Sequence, residues 1–161
     1  MVGRQWEASW EGGSSGERAG AQLHRVMVVY TLQLFDRQGQ LLFYREWNRP
    51  VAGDKEEHKL MFGFLFSLKQ LVGKMSPKKN GGGFYACSTS AYKLHYFETA
   101  SGLRFVMTTD LAAADMREPL RNIYSHIYVE KLVKNPLWCP GEPISCPLFT
   151  NSIERYIATL Q

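Results

Sequence analysis

The chain contains no apolar run long enough to cross a bilayer. Its most apolar stretch, residues 60–75, is interrupted by Ser67, Lys69, Gln70 and Lys74, whereas a spanning helix needs about 20 mostly apolar residues. The first residues lack the apolar segment of a secretory leader, so none is expected. Cysteine is scarce. Cys87, Cys139 and Cys146 are an odd number, no two are spaced CxxC, and no histidine stands at ligand spacing. That pattern argues against a zinc site and a disulfide framework and fits a reduced cytosolic protein. There is no GxxxxGK[ST] either. The glycine run 81–83 follows an expected helix and precedes an expected strand, the reverse of a phosphate cradle at a helix start. Charge of one sign is in only slight excess, with 19 Lys and Arg against 15 Asp and Glu. No nucleic acid partner is expected from so small a surplus. The one local basic cluster, Lys74, Lys78 and Lys79, reads as a solvated loop, so any membrane contact would be peripheral.

What the sequence does have is aromatic and β-branched patterning. Residues 1–25 are poor in apolar side chains and carry GGSSGERAG, a composition that predicts a disordered N-terminal extension. Residues 26–161 form the expected domain. Strands are predicted over 26–35 and 40–47, joined by Asp36-Arg37-Gln38-Gly39, in which Gly39 takes the left-handed position. A long helix follows over 55–75, with Asp54 as its expected cap. Its apolar stripe comprises Leu60, Met61, Phe64, Leu65, Leu68, Leu71, Val72 and Met75. Phe62 and Phe66 fall on the opposite side. A sheet accepts one side of a helix, so these two phenylalanines are candidates for packing against another chain.

Three further strands are expected over 84–89, 92–99 and 103–109, with connections short enough for an antiparallel meander. In the middle one, Tyr92, Leu94 and Tyr96 alternate with Lys93, His95 and Phe97. The second row is half polar and is expected to face solvent or a partner. His95 could serve as a base, yet no serine or cysteine nucleophile with an orienting acid can be placed beside it. A second helix is predicted over 115–134 with Pro119 in its opening turn, and its stripe runs from Leu120 to Val133. Residues 137–147 are irregular, and Ile153, Tyr156, Ile157 and Leu160 mark a short closing helix. The order β-β-α-β-β-β-α-α predicts an α+β fold with a five-stranded antiparallel sheet covered by helices. No recognisable active site, metal site or cofactor site appears, and the residues alone say interaction module.

That order is the order of the longin, or SNARE-like, fold. The stretches LFDRQG, KEEHKLMFGFLFSLK, KMSP, YKLHYFETASGLRFVMTTD and IYSHIYVEKLVKNPL together resemble the small longin-type subunits of the TRAPP vesicle-tethering complex (the subunit-one, or Bet-five, family). The resemblance covers about residues 27–161, leaving the N-terminal extension without a counterpart. It implies a non-catalytic scaffold subunit, without cofactor. Its partners would be a second longin-type chain and a helical TRAPP-type chain. The assembly it implies exchanges guanine nucleotide on a Rab-type GTPase in transport from endoplasmic reticulum to Golgi, so the expected location is cytoplasmic and peripheral at those membranes. On that resemblance Phe62 and Phe66 are candidates for subunit packing. Lys93, His95, Lys131, Lys134 and Asn135 are candidates for partner or GTPase contact. The nearest alternative is the small chain of a vesicle coat adaptor, and the alternative of another class is a small hydrolase using Cys87 or His95.

Overall fold

A computed structural model describes residues 27–49, 53–54, 56–77 and 83–161; the expected N-terminal extension and Lys78 and Lys79 lie outside them. Five strands, β1 (Val29–Phe35), β2 (Leu41–Glu46), β3 (Ala86–Ser88), β4 (Lys93–Glu98) and β5 (Arg104–Thr109), form one antiparallel sheet in the order β2-β1-β5-β4-β3. The helix α1 (Glu57–Met75) covers one face. The other is covered by α2 (Arg117–Asn122), its continuation Ile123–Val133, and α3 (Pro147–Leu160). This is the expected α+β longin fold.

The first hairpin shows how local chemistry sets the register. Asp36 accepts hydrogen bonds at Oδ1 from the backbone N–H groups of Gln38 and Gln40, both at 2.8 Å. Gly39 turns the chain back with φ +93°. Arg104 donates from Nη1 to the carbonyls of Asp36 and Arg37, and its guanidinium stands 5.0 Å from the centre of the Phe62 ring. The turn, β5 and α1 therefore meet at one corner.

Two cores result, one per face. Leu32, Leu34, Phe105 and Met107 point towards α2 and α3 and pack with Leu120, Ile123, Ile127, Leu132, Phe149, Ile153 and Ile157. Phe35, Leu94, Tyr96 and Val106 point towards α1 and pack with Leu65 and Phe84. Three expectations need correcting. Asp54 does not cap α1 with its side chain; its carbonyl accepts from Glu57 N at 3.0 Å, and Glu56 holds the cap position. His95 does not face solvent. It lies on the α2 side of β4, 2% exposed, because the segment after β5 folds over it. Val133 does not join the stripe of its helix. From Ile123 to Val133 the winding widens to bonds five residues apart, as in Lys134 N to Val129 O at 3.2 Å. The buried residues are then Ile123, Ile127, Tyr128 and Leu132, spaced by four and five, and Val133 turns outwards.

A methyl group at Gly39 would lie 2.6 Å from Phe62 Cε1 as well as in a left-handed backbone. Gly39→Ala is therefore expected to lower stability by at least about 1–2 kcal/mol from backbone strain alone. Urea unfolding with an unchanged midpoint would contradict this account of the corner.

Candidate functional site: the outward face of the first helix

Helix α1 is seated by few groups. Leu65 is its one fully buried side chain, with Met61, Phe62, Leu68 and Val72 half-buried around it. Leu60, Phe64, Leu71 and Met75 are spaced along one outer flank, at exposures of 72%, 45%, 53% and 73%. The expected inward stripe is thus split, and half of it faces out. Phe66 is exposed on the other flank. Phe62 turns towards the sheet, with its ring 5.8 Å from that of Phe35. Exposed leucine, methionine and phenylalanine on one helix face form the kind of apolar surface that soluble proteins keep for association.

The edges of this helix are fixed by charge. Arg49 donates to both carboxylate oxygens of Glu57, at 2.8 and 2.9 Å, near its N-terminus. Lys69 pairs with Glu98, which also accepts from the Tyr96 hydroxyl at 3.0 Å and faces Arg104. Burial alone would raise the pKa of Glu98, but the bonds from Lys69 and Tyr96 and the two cations outweigh it, and the carboxylate stays below its ordinary range. Tyr44 is pushed up to about 12 by burial and by its 2.5 Å bond to Glu46.

The other candidate residues are dispersed. Lys93 donates from Nζ to the carbonyl of Ala113 at 2.9 Å, and His95 Nε2 lies 2.9 Å from Thr109 Oγ1. Lys93 thus holds down the segment between β5 and α2, and His95 ties β4 to the last residue of β5. Among the described residues the side-chain hydrogen-bond partner of His95 is Thr109. Lys131 and Lys134 are exposed at the end of the wide-wound helix, Lys134 paired with Glu130 at 2.7 Å. Asn135 shapes the exit from that helix by accepting from Leu137 N at 3.0 Å. Beside them Leu137 is 91% exposed. Among the described residues no group of three or more His, Cys, Asp or Glu is placed to hold a metal. The outer flank of α1 was missed by sequence reading because a 3.6-residue stripe looks the same whether it meets a sheet or another chain.

The profile of the Sybindin-like family matches residues 29–160. Trafficking protein particle complex subunit 1 of Homo sapiens is 47% identical over 138 residues, 83% of this chain and 94% of that protein. The protein of the same name from Dictyostelium discoideum is 37% identical, over 81% of this chain and 94% of its own length. Trafficking protein particle complex subunit 4 of Bos taurus is 35% identical over 109 residues, 67% of this chain and 48% of that one. The resemblance to the small longin-type TRAPP subunit is borne out across the described fold.

His95 carries a pH dependence. Burial first, and the nearby Lys93 ammonium second, lower its pKa from 6.5 to about 4, with Asp115 opposing weakly. The unfolded chain then binds the proton more readily than the folded one. Stability is full above about pH 6.5, falls as pH drops towards 4, and changes no further below that. Between pH 7 and 5 the Tm of the native chain should fall by several degrees more than that of His95→Gln, at about 2–4 °C for each kcal/mol lost in a chain of this size. Parallel Tm curves for the two would show that His95 is not the group responsible.

Proposed function

The chain belongs to the Sybindin-like family, in its TRAPP subunit-one branch, and on that premise we propose that it is a non-catalytic core subunit of a TRAPP assembly. The observation that carries the proposal is the outer flank of α1. Leu60, Phe64, Leu71 and Met75 form an apolar strip on a helix whose inner side is already seated on the sheet. A second longin-type chain is the occupant for this flank, and the similar trafficking protein particle complex subunit 4 is a candidate of that kind. Phe66 extends the contact on the opposite flank. A helical TRAPP-type subunit or the GTPase would meet Lys131, Lys134 and the exposed Leu137. Asn135 holds the backbone of that corner, and Lys93 and His95 act from beneath the surface, Lys93 by fixing the segment before α2 and His95 by tying β4 to β5.

The assembly would act as a guanine nucleotide exchange factor for a Rab-type GTPase in transport between endoplasmic reticulum and Golgi, at the cytoplasmic face of those membranes. Exchange requires no bond making by this chain. A surface that binds the nucleotide-free GTPase better than the loaded one shifts the equilibrium towards release. A subunit with apolar docking faces and no assembled nucleophile fits that task.

The test is purification of the tagged full chain from its own cells, beside Phe64→Asp/Leu71→Asp. The native chain should bring down several small subunits including a second longin-type chain, and the assembly should speed GDP release from a Rab-type GTPase. The double variant should keep its fold by circular dichroism and lose the longin-type companion. Recovery of coat adaptor large chains, or of the chain alone, would overturn the proposal.

A further inference from the structure

Gln33 lies in the middle of β1 and is 1% exposed. Its side chain is on the face that α1 covers. Its cross-strand neighbours are Tyr44 and Val106; Val106 packs with Leu65, and the Tyr44 ring lies 4.5 Å from that of His58. Neither the amide nitrogen nor the amide oxygen of Gln33 has a hydrogen-bond partner among the described residues, and the buried Nδ1 of His58 has none either. Three polar atoms without a protein hydrogen-bond partner among the described residues therefore lie between α1 and the sheet. A buried polar group left unpaired carries a free-energy cost that any form admitting water recovers.

The hold on α1 from above is thin. Gly63 and Gly73 lie in its interior, and a Cβ at either would meet nothing within 4 Å. Packing therefore does not demand glycine there, while each glycine weakens the helix. By contrast α3 contains no glycine and buries Phe149, Ile153 and Ile157.

From this asymmetry we infer that α1 is a separately opening element. In the free chain it lifts from the sheet and unwinds, letting water reach Gln33 and His58, while β1, β5 and the α2–α3 face stay folded. An occupant of the outer flank that binds only the seated helix then acts on this opening equilibrium, and its apparent affinity falls in proportion to the seated fraction. The inference concerns the inner side of α1 and stands whether or not the outer flank meets a TRAPP subunit.

Hydrogen exchange of the full purified chain tests it, because local opening exposes amides independently of global unfolding. Amides of α1 should exchange at least tenfold faster than those of α3. Gln33→Leu should slow exchange in α1 about tenfold, since it removes two unpaired polar atoms, and leave α3 unchanged. Gly63→Ala should slow α1 alone by about two- to fivefold, which keeps the test open if Gln33→Leu does not fold. The inference is overturned if α1 and α3 are equally protected in the native chain, or if either folded variant leaves exchange in α1 unchanged or slows both helices alike. Loss of TRAPP companions in the purification experiment would leave these rates as they are.

Discussion

The antiparallel pairing of β1 with β5 is the interaction on which the rest of the chain depends. These strands occupy the inside of the sheet, so their side chains alternate between two faces and both faces must be kept from water. Leu32 and Leu34 require a cover on one side, Phe35 and Val106 on the other. The chain meets the first demand generously, with three successive helical segments and a continuous set of fully buried side chains. It meets the second with one helix and a much smaller core. This inequality explains why the outward side of α1 can remain apolar. A helix that contributes one fully buried residue has side chains to spare for something else.

Charge compensates for the thin cover at the margins of α1. Arg49–Glu57 fixes its start, and the Lys69–Glu98–Arg104 cluster fixes its flank near the first hairpin. These pairs are half-exposed, where ion pairs contribute little individually, so they orient the helix more than they stabilise it. The Arg104 guanidinium over Phe62 and the bare backbone of Gly39 let the hairpin approach closely enough to complete that corner.

Much of this was legible in the sequence. The alternation in YKLHYFET and the glycine at 39 gave strand and turn directly, and the 3.6-residue spacing gave all three helical regions. The family followed from the longer stretches and not from any single motif. What could not be read was which side of an element meets which neighbour. His95 looked like a surface group because its row is half polar, yet the segment after β5 folds over that row and buries it. Phe62 and Phe66 shared one side of the helix by spacing, but they straddle the boundary between seated and exposed, so one went in and one stayed out. Val133 left its stripe because the helix widens, and hydrophobic spacing carries no clear signal for bonds five residues apart. In each case tertiary packing decided between arrangements that local pattern left equal.

The two ends of the sheet are unequal. Beyond β2, the irregular stretch before α3 returns to the strand, and Ile144 N donates to Leu42 O at 2.7 Å. That bond occupies part of the outer side of β2, while β3 at the far end is only three residues long. Strand-by-strand growth needs two open ends, so that each added chain offers a fresh template to the next. One end is partly engaged by the chain itself and the other is only three residues long, so each edge offers a short template to a further strand. Edge-to-edge strand pairing is thereby disfavoured while the outer flank of α1 stays exposed.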